Sequence, residues 1–206
     1  MSTEQKYIRV LFYLTPWKLK RKYLINQIIS IRTLSKYSHC ELWAADENGD
    51  FIAIEHIDAT EVSFDRSDEY CTATLVLPQD TISYLGTCYS STIRDDEDGT
   101  RAADASLVLK HPEHWHYVLI PVTDEQYAFL TLIMKLSVAN NKGYALWDLL
   151  NFLSPIHFPD NDRNICSEAV NNWLVIIGIL MGMGIVSPGT LLKKLLNRGY
   201  EVKPLN

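Results

Sequence analysis

The chain lacks the features that would place it in several broad classes. It has four cysteines, Cys40, Cys71, Cys88 and Cys166, no two closer than 17 residues. Spacing that sparse excludes the dense disulfide framework of a small secreted domain, and without a Cys-x-x-Cys pair the usual zinc signature is missing. Long apolar runs are also lacking. The longest, Leu174 to Val186, is 13 residues with three glycines, whereas a spanning helix needs about 20. It reads as a buried helix running into a turn. Met1 to Arg9 is polar and the run Val10–Leu14 stops at Thr15-Pro16, which is not a signal-peptide pattern. Cations are not in excess: 19 Lys and Arg stand against 25 Asp and Glu, a net charge of −6. A nucleic-acid partner is therefore not expected. Internal repeats, linker-like segments, a Gly-rich phosphate loop and a Gly-x-Ser-x-Gly elbow are all missing. Together these absences lead to the expectation of a cytoplasmic protein with reduced thiols, no transmembrane segment, no cofactor and no metal.

What is present is ordinary globular composition, 47% hydrophobic, 21% charged and 11% aromatic. A length of 206 residues suits a single domain over 1–206 that buries roughly 70% of its unfolded surface without covalent staples. Tyr7–Leu14, Ser38–Ala44, Phe51–Ile57, Cys71–Leu77 and Trp115–Val122 read as strands, rich in β-branched and aromatic residues. The acidic turn Asp46 to Asp50 between the second and third suggests a hairpin. Helices are expected over Lys18–Leu34, from Thr123 to about Asn140, over Tyr144–Leu153, from Ile165 to about Ile179, and over Leu191–Asn197, the last started by Ser187-Pro188-Gly189-Thr190. Thr123 and Gln126 have capping-box spacing, and Asp162 or Asn164 is the expected cap of the helix after Ile165. Tyr200–Pro204 suits a closing strand. The fold class is α+β. Residues 79–113 carry the weakest pattern and are expected to be an insertion or irregular segment.

Two groups of charge have modest meaning. Lys18, Lys20, Arg21 and Lys22 sit at a predicted helix start, where cations oppose the macrodipole; they read as a solvated face or a weak contact with an anionic surface. His111, His114 and His116 form an H-x-x-H-x-H cluster supported only by Glu113, and read as a surface turn entering a strand.

Cys166 has the more informative context. It falls in the first turn of a predicted helix, where unpaired N–H groups carry partial positive charge. That charge favours a thiolate, the nucleophilic form of cysteine, and the same N–H groups suit an oxyanion. A buried structural cysteine is the plainer reading. His39 lies on a predicted strand and shares a face with Glu41 and Trp43, while Cys40, Leu42 and Ala44 take the other. Cys40 and Leu42 look like the core face, so His39 and Glu41 are expected to line a groove. Glu55 and His56, on the returning strand of the expected hairpin, are placed to orient the imidazole.

Three stretches together resemble a known family: Tyr37-Ser38-His39-Cys40-Glu41-Leu42, then Lys142-Gly143-Tyr144-Ala145-Leu146-Trp147-Asp148-Leu149-Leu150, then Ile165-Cys166-Ser167-Glu168-Ala169-Val170 followed by Ser187-Pro188-Gly189-Thr190-Leu191. They look like the circularly permuted branch of the NlpC-type papain-like cysteine hydrolases and acyltransferases, closest to small proteins of tailed phages. In that branch the histidine precedes the cysteine, as here. The resemblance spans about residues 7–195 and leaves 79–113 unmatched. It implies a permuted papain-like domain, an antiparallel sheet packed against helices, with Cys166 as nucleophile and His39 as general base. It places a third polar member on the strand after the histidine. Glu55 is the first choice for that role, with His56 and Glu41 behind it. Tyr144 matches a pocket-lining tyrosine, and Glu41 is a second substrate-binding candidate. Cys40 replaces what is often an aliphatic residue and reads as a core hydrophobe. The implied activity is acyl transfer on an amide, ester or thioester, with an acyl-, peptide- or lipid-type substrate. The alternative is a non-enzymatic module that keeps the fold and binds a ligand or host protein.

Overall fold

The computed structural model describes residues 5–16, 24–46, 48–57, 63–67, 70–74, 79–94, 97–140 and 165–205. The elements are β1 (Lys6–Leu14), α1 (Leu24–Arg32), β2 (Tyr37–Ala44), β3 (Ile52–Ile57), β4 (Ser63–Ser67), β5 (Tyr70–Thr74), β6 (Gln79–Tyr84), β7 (Thr87–Arg94), β8 (Glu97–Asp104), α2 (Ala105–Val108), β9 (Trp115–Val122), α3 (Asp124–Ala139), α4 (Cys166–Ile176), α5 (Pro188–Leu196) and β10 (Val202–Pro204). The class is α+β. An antiparallel six-stranded sheet runs in the order β10-β9-β1-β2-β7-β8.

The sheet is covered on both faces. Ile8, Val10 and Phe12 of β1, Cys40, Leu42 and Ala44 of β2, and Val118, Ile120 and Val122 of β9 alternate onto one face. There they meet Leu130 and Met134 of α3, Cys166 to Leu174 of α4, and Leu191 to Leu195 of α5. Leu11, Trp43, Cys88 and Trp115 point the other way and pack with Phe51, Ala105, Leu109 and Leu205. The period-2 alternation of each strand thus feeds two cores.

Local sequence accounts for the helix ends. Thr123 and Gln126 form the expected capping box at the start of α3, and the Gln126 side chain also donates to the Ile177 carbonyl at the end of α4. Ser187 caps α5 by accepting from the Thr190 amide, with Pro188 in the first turn. A Cβ on Gly189 would sit 2.6 Å from Ser35 Cβ, so only glycine lets α5 start this close to the residue leading into β2. The apolar run 174–186 splits as expected: α4 ends at Ile176 and Gly178, Gly182 and Gly184 turn with positive φ. Buried Asn171 holds that turn, donating to the Gly182 carbonyl and accepting from Lys194. Among the described residues, no helix is long and apolar enough to cross a membrane.

Two expectations need correction. The described residues of the 79–113 segment, 79–94 and 97–113, are not irregular: they supply β6, β7, β8 and α2, and two of those strands belong to the main sheet. Nor do β2 and β3 make a hairpin. β2 is flanked by β1 and β7, while β3 pairs with β6 in a separate two-stranded sheet. The turn at 46–50 is real, with Asp46 Oδ1 accepting from the amides of Asn48 and Asp50. It redirects the chain to a different partner strand instead of folding it back. Lys18, Lys20, Arg21, Lys22, the 144–153 helix and the loop 159–164 lie outside the described residues.

Candidate functional site

The site begins with an irregularity in β2. Its register with β1 runs Tyr13↔His39 and then Leu14↔Tyr37, leaving Ser38 as an extra residue. Such a bulge shifts the alternation by one. Tyr37 therefore joins Cys40 in the helix-covered core, and His39 faces the opposite side, with its ring 6.4 Å from that of Trp115.

On that side a polar cluster is buried. Glu41 is fully buried and His39 is 7% exposed. This corrects the expectation of an open groove, because the second core roofs this face as well. His39 Nε2 lies 3.0 Å from Glu41 Oε1, and the same oxygen accepts from Arg101 Nη2 at 3.2 Å. Arg101 comes from β8, opposite Ser90 of β7. Ser90 Oγ is 3.4 Å from His39 Nε2 and donates to the Cys40 carbonyl at 3.0 Å.

Backbone pairing explains why a hydroxyl is needed there. The ladder between β2 and β7 ends at Leu42↔Tyr89, although both strands continue. Beyond that point the backbone groups of Cys40 must find other partners, since an unpaired buried amide or carbonyl is costly. Ser90 takes the carbonyl. Cys166, arriving at the N-terminus of α4, takes the amide: its sulfur accepts from the Cys40 N–H, from the Cys40 thiol and from the His39 imidazole.

These contacts set the charge of the sulfur. The Cys40 thiol, then the His39 imidazole and the Cys40 amide, hold the Cys166 thiol well below the ordinary range, although burial pushes it up. Burial first, and then the neighbouring Cys166 sulfur, push the Cys40 thiol well up. Of the pair, Cys166 is the sulfur these contacts favour for ionisation and Cys40 the one they hold as a thiol. The helix adds its own field. The expected caps, Asp162 and Asn164, are not at the N-cap position, which is Ile165 with no side-chain cap bond. The cap residue's side chain thus takes none of the first-turn N–H groups.

The other candidates fall elsewhere. Glu55 sits on β3 opposite Thr81, and His56 opposite Asp80, away from the β2 ladder; Glu41 holds the imidazole instead. Tyr144 lies outside the described residues. His116 Nδ1 bonds the Tyr37 hydroxyl at 2.7 Å; burial, then Lys36, lowers the pKa of that imidazole, and burial pushes the Tyr37 phenol up to about 12. His111 and His114 both lie near the exposed Glu113. Among the described residues, no group of three metal-ligating side chains is placed to hold an ion. Sequence reasoning missed Ser90 and Arg101, which carry no local motif, and the contact of Cys40 with Cys166. Pairing between distant strands brings the first two in. Compared with known proteins, the chain matches no family model, and no curated protein aligns with it significantly.

Proposed function

We propose that this chain is a cysteine-dependent hydrolase or acyltransferase of the permuted papain-like class, acting on an amide, ester or thioester. The observation that carries the reading is the Cys166 sulfur at the start of α4, facing the His39 imidazole whose Nε2 is held by buried Glu41. The order of the motifs, histidine before cysteine, supports the same class.

The chemistry follows from that arrangement. With Nε2 on Glu41, Nδ1 is the ring nitrogen that serves Cys166. The thiolate attacks the acyl carbonyl, and the backbone N–H of Cys166 holds the developing oxyanion. As the C–N, C–O or C–S bond breaks, the His39 imidazolium protonates the leaving group. His39 then takes a proton from water or an acceptor, which attacks the thioester and releases the acyl group. Glu41 fixes the imidazole orientation and stabilises its charged form. Arg101 donates to the same Glu41 oxygen and fixes that carboxylate in place.

One observation favours the second reading, a binding module that keeps this fold: Cys166 is only 4% exposed. Thiol chemistry separates the two. Treated with limiting iodoacetamide at about pH 6–7, an activated Cys166 alkylates before Cys40 and Cys88. His39→Ala slows Cys166 about 10²-fold and leaves Cys88 unchanged. Equal reactivity of Cys166 and Cys88, read by peptide mass spectrometry, removes the enzyme reading.

A further inference from the structure

We propose that Cys40 and Cys166 close into a reversible disulfide on exposure to a hydroperoxide, with Cys166 as the reacting sulfur and Cys40 as the resolving one. The proposal concerns regulation of the same site. It rests on the Cys166 thiolate of the reading above and does not require turnover.

The geometry is unusual for two structural cysteines. Both are free and buried, and they lie in one core cluster where the strand meets the helix, close enough for each thiol to act on the other. Each is carried on a fixed element. Cys40 sits in the β1–β2 ladder opposite Phe12, and Cys166 begins α4. A disulfide forms when the sulfurs close to about 2.05 Å with Cα atoms roughly 4.4–6.8 Å apart. Cys88 is the built-in control. It is equally buried, but it faces the other core beside Trp43, and burial pushes its thiol well up.

The chemistry balances. The Cys166 thiolate attacks one peroxide oxygen, the O–O bond breaks, and the departing hydroxide takes a proton from the His39 imidazolium to leave as water (or as an alcohol from an alkyl hydroperoxide). Cys166 is now a sulfenic acid. The Cys40 sulfur attacks it, the S–O bond breaks, the S–S bond forms, and the hydroxyl leaves as water with the Cys40 proton. Two thiols are oxidised and one peroxide is reduced. Without a resolving thiol, a sulfenic acid in excess peroxide proceeds to irreversible sulfinic acid. Cys40 therefore protects the nucleophile while switching it off.

The test uses the full chain and hydrogen peroxide. After one equivalent, intact mass should show loss of two hydrogens, and a peptide map should join Cys40 to Cys166. Iodoacetamide should no longer label Cys166, and dithiothreitol should restore labelling. In Cys40→Ser one equivalent should give a dimedone-trapped sulfenic acid on Cys166, and excess peroxide should then give a gain of two oxygens. Cys40→Ala serves the same purpose if the serine variant does not fold. Cys166 should oxidise about tenfold faster than Cys88 in the wild type and in Cys40→Ser, whose hydroxyl keeps a donor to the sulfur. The proposal is overturned if wild-type Cys166 gains two oxygens with no 40–166 link, or if Cys88 oxidises equally fast. Fast alkylation of Cys166 with no disulfide defeats this inference alone. A disulfide in a protein without acyl-transfer activity defeats the enzyme reading alone.

Discussion

The two halves of β2 differ in a way that locates the site. From Leu42 to Ala44 the strand is laddered on both sides, to β1 and β7, and Trp43 is fully buried against Phe51, Tyr84 and the Arg9 guanidinium. From His39 to Glu41 the β7 ladder has ended. The backbone groups of Cys40 go to a serine hydroxyl and a cysteine sulfur, and an imidazole, a carboxylate and a guanidinium are held together. One half satisfies itself by pairing and apolar contact. The other leaves polar groups that only distant residues can satisfy. A reactive group can be assembled where the regular structure stops meeting its own hydrogen-bonding demand.

The comparison can be broken by exchanging roles between the halves. The largest effect is expected from Cys166→Ala. It should lower turnover of any confirmed substrate at least about 10³-fold while the protein still folds, its thermal unfolding midpoint lowered by the loss of the acceptor for the Cys40 amide. Retained turnover would move the chemistry elsewhere. Trp43→Ala should act in reverse, costing about 3–5 kcal/mol in a denaturant titration while Cys166 in the remaining folded protein alkylates at the wild-type rate. If that rate collapses too, the two halves are not separable.

Two smaller effects sharpen the contrast. The Cys166 thiol is held below the ordinary thiol range near 8.5. Between about pH 7 and 8.5 its alkylation rate should therefore rise less steeply than that of an ordinary thiol, and it should fall at lower pH as the thiolate protonates. The raised Cys88 thiol, across the sheet, should speed up about tenfold per pH unit over the same window. Parallel slopes would show that the open half does not activate its cysteine. The smallest effect belongs to Glu41→Gln. The amide still reaches His39 and Arg101 but no longer stabilises an imidazolium, so Cys166 alkylation near neutral pH should slow about tenfold. Glu55→Gln should leave the rate unchanged, and the reverse result would restore the original choice of acid.

Much of the frame was legible from local pattern. β9 runs from Trp115 to Val122, as its sequence predicts. The Thr123–Gln126 pair caps α3, Ser187 and Pro188 open α5, and Cys166 begins a helix. Each of these is set by residues within a few positions of one another. The misreadings share a cause. Glu55 looked like the orienting acid because a turn followed β2, and turn chemistry shows that a chain bends, not which strand it meets next. Arg101 and Ser90 lay in the segment with the weakest pattern, and only the non-local pairing of β7 with β2 gives them a part. Cys40 was correctly placed in the core by alternation. Its contact with Cys166, 126 positions later, has no trace in either neighbourhood.

The extra residue at Ser38 acts as a phase setter. Tyr37 anchors the strand in the helix-side core while His39, two positions on, addresses the opposite compartment, and an unbroken strand would put both on one side. The spacing between anchor and base is thus fixed by a count of residues and not by their chemistry. Ser38 should tolerate replacement by other small residues. Deleting it, or inserting one residue beside it, should force a choice between a seated Tyr37 and a correctly aimed His39.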